Sequence, residues 1–115
     1  MTYSGSCHCG NVKIEFDADI KQAISCNCSI CSRKGWLLAF VDKKDFKLIQ
    51  GKESLSDYQF NKRHLHHQFC KNCGISAFSS GSNPQGGETY AINLNCVEGL
   101  DLKKIPVTEF DGRSL

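Results

Sequence analysis

Cysteines dominate this chain: eight stand among 115 residues, and seven of them fall into three short clusters. The clusters read SCHCG at 6–10, CNCSIC at 26–31 and FCKNCG at 69–74. Thiols at this density require an explanation by disulfides or by bound metal before any fold is considered. The middle cluster is the informative one, because three cysteines fit neither disulfide pairing nor a closed four-ligand zinc site.

The length of the chain is typical of one domain, because two domains of half this size would each bury too little apolar surface. We therefore expect residues 1–115 to form a single zinc-binding domain. The first residues, MTYSGSCHCG, lack a basic segment followed by an apolar one, and no run approaches the ~18 apolar residues of a membrane span. We expect a cytoplasmic protein, and in that reducing compartment clustered thiols bind metal more often than they oxidise.

The charge of the chain argues against a nucleic-acid partner. The formal charge is +2, and it becomes −1 when seven cysteine thiolates (−7) and two zinc ions (+4) are counted. A near-neutral domain without a run of arginine or lysine lacks the basic surface that phosphate recognition needs. We predict that the partners are neither nucleic acids nor membranes.

Strict alternation of apolar and polar residues predicts half-buried strands at 12–17 and at 90–96. Cys96 alternates in phase with the apolar residues of the second strand, so we expect it to be a small buried core residue. Further strands are predicted at 35–41, 46–51 and 64–69, and single helical turns at 41–46 and 100–105. The Gly-, Ser-, Asn- and Pro-rich stretch at 79–89 favours an exposed loop over a lip above a site. The chain is expected to be mostly β.

The spacing of the outer clusters predicts one structural metal site. In a strand, residues i and i+2 point to the same side, so Cys7 and Cys9 can present two sulfurs to one ion. Cys70 and Cys73 form a C-x2-C knuckle followed by Gly74, which can adopt positive φ beside the metal. The most economical assignment is a four-sulfur zinc site built from these two pairs, and such a site contributes folding energy to a small domain.

The middle cluster is then left with Cys26, Cys28 and Cys31. Three protein ligands with an open fourth position are the arrangement of a catalytic zinc. We therefore predict a second, labile zinc at this cluster, with room for a substrate.

Two alternatives stay open at this point. A disulfide framework is disfavoured, because neighbours in C-x-C bond poorly to each other. A histidine can instead complete the second zinc site, and His66 and His67 are the candidates. His8 lies between two predicted ligands and is expected at the surface. The histidines of HLHH, which include His64, are also where we would seek a general acid.

The clusters and their flanks resemble the glutathione-dependent formaldehyde-activating enzyme family, which also includes centromere protein V. The matching features are GSCHCGNVKIEF, SCNCSICSRKGW and HQFCKNCG, together with Phe46, Ile49, Gly51 and Tyr58. The resemblance implies an all-β tent of two or three antiparallel sheets, similar to methionine sulfoxide reductase B. It also implies a structural zinc on Cys7, Cys9, Cys70 and Cys73 and a catalytic zinc on Cys26, Cys28 and Cys31.

The reaction implied by the resemblance joins formaldehyde to glutathione, as in an S-(hydroxymethyl)glutathione synthase, a carbon-sulfur lyase. Zinc at the middle cluster would hold the sulfur of glutathione or of another small thiol. The substrate carboxylates could meet one of four cations: Arg33, Lys34, Lys62 and Arg63. From a different class, a non-catalytic zinc module would carry a thiol or dock on a protein partner. A methionine sulfoxide reductase with Cys96 as nucleophile would leave the middle cluster unexplained.

The chain departs from the family pattern in its last third. The segments NLNCVEGLDL and IPVTEFDGRSL do not follow the sequence expected of many members. Any contribution of these segments to a second substrate is therefore not predicted by the resemblance.

Overall fold

The computed structural model of the chain describes residues 1–59, 65–82 and 87–114. Within these ranges the chain forms ten strands and one short helix. They are β1 (Thr2–Ser6), β2 (Lys13–Asp17), β3 (Ala23–Cys26), α1 (Ser29–Lys34), β4 (Leu38–Asp42), β5 (Phe46–Gln50), β6 (Leu55–Tyr58), β7 (Leu65–Cys70), β8 (Phe78–Ser82), β9 (Glu88–Asn93) and β10 (Val107–Phe110). None of the described residues belongs to a helix long and apolar enough to cross a bilayer.

The strands form two sheets, which confirms the all-β prediction. One sheet has three strands in the order β1-β2-β5, and the other has seven in the order β10-β3-β4-β9-β8-β7-β6. All the pairs described are antiparallel except β3 with β10, which are parallel. The parallel pair brings the end of the chain beside Cys26, because Phe110 lies opposite that residue.

The core lies between the two sheets. Val12, Ile14 and Phe16 are each 1% exposed, as the alternation in this segment predicts. Burial of each side chain contributes about 1.5–3 kcal/mol. Across the interface, the ring of Phe46 in β5 stacks on Tyr90 in β9 with their centroids 4.1 Å apart. This contact joins the two sheets directly.

Most of the predicted strands form, with shifted ends. β4 begins at Leu38 and not at residue 35, and β9 ends at Asn93, where a 3₁₀ turn over Leu94–Cys96 takes over. Cys96 is half-buried against the main core, so it is less enclosed than predicted. The segment 64–69 becomes β7 from Leu65 onwards, and His64 lies outside the described residues.

Helix α1 was not predicted. It begins after Cys28, whose sulfur accepts from the N–H of Cys31, and it ends at Gly35, which has a φ of 64°. Six residues are too few for a helical period to stand out in the sequence. The two predicted helical turns do form, as 3₁₀ turns over Lys43–Asp45 and Leu102–Lys104.

The prediction of an exposed loop at 79–89 is wrong for both ends of that stretch. Ser79, Ser80 and Gly81 are buried within β8, and Thr89 lies in β9. Serine and glycine favour turns when they are exposed, but here β7 and β9 flank β8 and satisfy its backbone. Residues 83–86 lie outside the described part of the chain.

Candidate metal centres

Four cysteines from two distant segments of the chain meet in one cluster. The sulfurs of Cys7, Cys9, Cys70 and Cys73 all lie within 4.8 Å of one another. The Sγ atoms of Cys7 and Cys9 are 3.7 Å apart, and those of Cys9 and Cys70 are 3.6 Å apart. Tetrahedral Zn²⁺ with Zn–S bonds of about 2.3 Å places its sulfurs about 3.8 Å apart. The donor set and its spacing therefore fit zinc.

Turns, and not a strand, bring the first pair together. Cys7 follows β1, and Cys9 lies in a turn in which the N–H of Gly10 donates to the Cys7 carbonyl at 3.3 Å. The expectation that both cysteines share one face of a strand is therefore wrong. On the other side, Gly74 has a φ of 81° and donates to the Cys70 carbonyl at 2.7 Å, as a knuckle requires.

The thiols of this cluster differ in how easily they ionise. Burial raises the pKa of Cys7 to about 11, against the opposing hydrogen bond from the Val12 N–H. Backbone N–H groups of Cys9 and Ile75 lower the pKa of Cys73 to about 6. Cys73 is therefore largely a thiolate at neutral pH, whereas Cys7 must lose a proton when it binds metal.

The second cluster lies where β3 gives way to α1. Cys26 ends β3, Cys28 precedes α1, and Cys31 lies within it, so a strand end and a helix turn supply the three sulfurs. These sulfurs also lie within 4.8 Å of one another. Among the described residues the cluster contains cysteines only, and no histidine joins it.

Burial separates the thiols of this cluster too. It raises the pKa of Cys31 to about 12, against the opposing effect of the Trp36 side chain. Burial also opposes ionisation of Cys28, but the N–H of Cys31 donates to its sulfur at 3.4 Å and the pKa of Cys28 is lowered on balance. Sulfur donors of this kind are suited to zinc, and each cluster could hold one metal ion.

The three-cysteine cluster opens on a cavity of about 840 Å³. This volume is in the usual range for sites that bind small molecules. Trp36, Leu38 and Phe40 form an apolar wall, and Ser79 and Ser80 of β8 bring hydroxyl groups to another side. The stretch first predicted to be a plain loop thus supplies part of the cavity.

Of the four cations predicted to meet a substrate carboxylate, the structure places Arg33 at this cavity. Lys34 instead lies over the ring of Trp36, with Nζ 3.9 Å from the centroid, and donates to Ser76 Oγ at 3.4 Å. It lines a separate, smaller cavity of about 360 Å³. Lys62 and Arg63 lie outside the described residues.

The described histidines occupy different environments. His8 is exposed, as predicted, and His66 pairs with Asp57 at 2.7 Å near the surface. His67 is buried and lines the large cavity. Burial and the nearby charge of Lys34 lower the pKa of His67, so its imidazole is neutral at pH 7.

The environment of Cys96 does not activate a nucleophile. Burial raises the pKa of this thiol, and the charge of Cys73 acts in the same direction. Because the thiolate is the reactive form, the reading of the chain as a methionine sulfoxide reductase with Cys96 as nucleophile loses its support.

Sequence reasoning missed three residues beside the middle cluster: Asn27, Gly112 and Arg113. Gly112 and Arg113 line the cavity from the C-terminal segment, about eighty residues away in sequence. Asn27 stands between two cysteines, which was the one signal available in the sequence. Nothing local marks the other two.

Comparison with known proteins agrees with this geometry. The family model described as glutathione-dependent formaldehyde-activating enzyme matches residues 2–110. Among solved structures, the chain is similar to a Rhodobacter sphaeroides protein determined as a structural genomics target. That similarity has a TM-score of 0.78 and 34% sequence identity, and it covers 91% of this chain and 99% of the other. The chain therefore belongs to the glutathione-dependent formaldehyde-activating enzyme family.

Proposed function

We propose that this chain is a zinc-dependent carbon-sulfur lyase that acts on glutathione or a small-thiol adduct, in the manner of an S-(hydroxymethyl)glutathione synthase. The observation that carries the proposal is a cluster of three cysteines, Cys26, Cys28 and Cys31, that faces a cavity of about 840 Å³. In this proposal a second zinc on the four-cysteine cluster is structural, and residues 1–115 act as one domain.

The two clusters would have different tasks. Zinc held by the three sulfurs would supply a fourth position for the substrate sulfur and keep that sulfur ionised. The chain itself then has to hold the second reactant beside that position. The apolar wall of Trp36 and Leu38 excludes water there, and the buried hydroxyl of Ser79, which has no hydrogen-bond partner among the described residues, offers a polar contact.

Magnitudes show that positioning matters more than ionisation. A thiol of pKa ~8.5 is about 3% ionised at pH 7, so full ionisation gains roughly thirtyfold. Lowering that pKa by about 3 units costs roughly 1.2–1.5 log units of nucleophilicity, if the coefficient for thiol exchange applies. Because the two effects nearly cancel, acceleration has to come from holding formaldehyde next to the sulfur.

Proton balance assigns a task to His67. The new bond joins the thiol sulfur to the carbonyl carbon, and the proton released by the thiol ends on the carbonyl oxygen. Of the described histidines, His67 is the one that lines the cavity, and its neutral ring can accept the thiol proton and then, as the imidazolium, donate that proton to the carbonyl oxygen. We assign this transfer to His67.

The test is NMR exchange spectroscopy on formaldehyde and glutathione at equilibrium. Zinc-loaded protein should accelerate the exchange, whereas Cys28→Ser should not, although it keeps its fold and loses one of two zinc ions. Cys96→Ser, which removes a thiol outside both clusters, is the matched control and should behave like the natural protein. Equal exchange with and without Cys28 would contradict the lyase assignment and leave a non-catalytic zinc module.

A further inference from the structure

The C-terminal segment lies directly against the three-cysteine cluster. β10 runs parallel to β3 and places Phe110 opposite Cys26. Just beyond this pair, the N–H of Asn27 donates to the Phe110 carbonyl at 3.2 Å. The segment therefore reaches the three-cysteine cluster alongside β3, and backbone hydrogen bonds define its position there.

The side chain of Asn27 then holds the residues that follow. Its Nδ2 donates to Asp111 Oδ1 at 2.9 Å, and its Oδ1 accepts from the Arg113 N–H at 2.9 Å. Ser114 donates to the other Asp111 oxygen at 2.7 Å. Hydrogen bonds from Ser114 and Asn27 lower the pKa of Asp111, so the carboxylate persists as an acceptor at neutral pH.

Gly112 shows how closely the segment approaches the sulfurs. A Cβ built on Gly112 would lie 2.6 Å from Cys26 Sγ and 3.3 Å from Cys28 Cβ. Since real Cβ atoms do not approach a sulfur this closely, glycine is the residue that lets the backbone pass here. The segment is thus a wall of the site, and it brings Arg113 to the cavity.

The charges around the cavity favour an anion. Two arginines, Arg33 and Arg113, line it, and no aspartate or glutamate of the described ranges does. Three thiolates around Zn²⁺ would contribute a charge of −1 and the two guanidinium groups +2, so the groups that line the cavity carry an excess of positive charge. The Asp111 carboxylate does not line the cavity and accepts from Asn27 and Ser114. Arginine binds carboxylates through paired hydrogen bonds.

We propose that Arg113 is a specificity-determining residue that selects thiols carrying a carboxylate, and that Asn27 is the positioning residue that holds Arg113 at the cavity. The inference rests on the proposed function, because it requires the substrate thiol to bind at the three-cysteine cluster. It adds the C-terminal segment, which lies outside the cysteine motifs, to the site.

The first experiment is calorimetric titration of the zinc-loaded protein with glutathione and with 2-mercaptoethanol, a thiol without a carboxylate. Arg113→Gln should weaken glutathione binding about tenfold, because one charge-assisted hydrogen bond is lost. It should leave 2-mercaptoethanol binding unchanged. Arg113→Lys should restore part of the loss. Lys103→Gln, which removes an exposed cation of the same half of the chain, should change neither affinity.

The second experiment tests Asn27 by a charge swap. Asn27→Asp places a carboxylate against Asp111 and should weaken glutathione binding as Arg113→Gln does, measured per bound zinc. Combining Asn27→Asp with Asp111→Asn restores a donor opposite an acceptor and returns the pair to the total charge that it has in the natural protein. The double variant should recover glutathione binding, and a failure to recover overturns the positioning role.

The outcomes separate this inference from the proposed function. If Arg113→Gln weakens both thiols equally, or neither, the thiol site stands and the specificity inference is overturned. If the natural protein binds neither thiol at the zinc-loaded site, the proposed function is overturned and the inference falls with it.

Discussion

Individual thiols of the two cysteine clusters differ in whether they are protonated at neutral pH, and this affects metal binding. The pKa of Cys31 is about 12, well above the ordinary 9.0, so this thiol keeps its proton at neutral pH until a metal displaces it. Cys73 of the other cluster, with a pKa of about 6, has already lost its proton above that pH. The pH dependence of zinc binding can therefore be assigned to particular residues.

We predict that the zinc affinity of the three-cysteine cluster rises by about one log unit per pH unit between pH 6 and 9 from Cys31 alone. The sign follows from the raised pKa, because each zinc bound in this range releases the Cys31 proton. Chelator competition at several pH values measures the slope, and Cys28→Ser protein, which lacks one ligand of the middle cluster, gives the contribution of the four-cysteine cluster that is subtracted. An affinity that does not change with pH would contradict the buried, protonated state of Cys31.

Residue identity also explains which parts of the site were predictable. The grouping of seven cysteines follows from their spacing, and the structure brings the same two groups together. The roles of Arg113 and Asn27 depend on a contact across 84 and 86 positions, for which no local pattern exists. Lys34 and Arg33 were both predicted to meet a substrate carboxylate because both are cations. Adjacent helix residues point in different directions, however, and the ammonium group of Lys34 lies over Trp36.

At the scale of elements, the turn after β5 is held by a close backbone contact. Gly51 has a φ of 101°, and a Cβ there would lie 2.2 Å from the Asn11 carbonyl oxygen and 2.8 Å from Val12 Cα. The turn thus packs directly on the chain that leads into β2. Gly99 also has a positive φ, of 74°, but a Cβ there would meet nothing within 4 Å.

We predict that Gly51→Ala lowers the free energy of unfolding by about 3 kcal/mol or more, from backbone strain together with the clash. Gly99→Ala, the matched control, should cost about 1 kcal/mol, since it meets only the left-handed backbone penalty. Urea unfolding of both variants measures the difference. Equal losses would show that the contact with Asn11 relaxes without cost.

Strand prediction succeeded or failed according to what each strand packs against. β2 lies on the core with one face only, so its alternation is visible in the sequence and its buried side chains were identified. β8 is flanked by β7 and β9 and is built from small residues, so its sequence looks like a loop although Ser79–Gly81 are buried. Helix α1 is stabilised by its ends and by its packing near Trp36, and it is too short to show a period.

For the molecule as a whole, the four-cysteine cluster joins the two sheets. Cys7 and Cys9 follow β1 of the three-stranded sheet. Cys70 is the last residue of β7 in the seven-stranded sheet, and Cys73 follows that strand. The stacked pair of Phe46 and Tyr90 also spans the two sheets. Metal at this cluster would therefore fix their relative position, whereas the three-cysteine cluster lies within the larger sheet and α1.

We predict that Cys73→Ser lowers the midpoint of thermal unfolding by on the order of 10 °C or more, because a structural zinc contributes folding energy. Cys28→Ser, the matched change at the other cluster, should lower it by only a few degrees. Thermal unfolding with the zinc content measured in parallel checks both. A larger loss in Cys28→Ser would exchange the structural and catalytic assignments.

The sequence by itself determined the features that depend on residues close to one another in the chain. These are the all-β class, the grouping of the cysteines, the alternating core strands and membership of a family. Spacing suffices there because a thiol pair, a turn or a strand face is specified by residues a few positions apart. Only the tertiary structure decided that β8 is buried, that His67 and Arg33 face the cavity while Lys34 does not, and that Asn27 holds Asp111 and Arg113 beside the cysteines. The burial of β8 depends on its pairing with β7 and β9. The contacts of Asn27 depend on the parallel pairing of β10 with β3, which joins residues more than eighty positions apart and leaves no periodic trace in the chain.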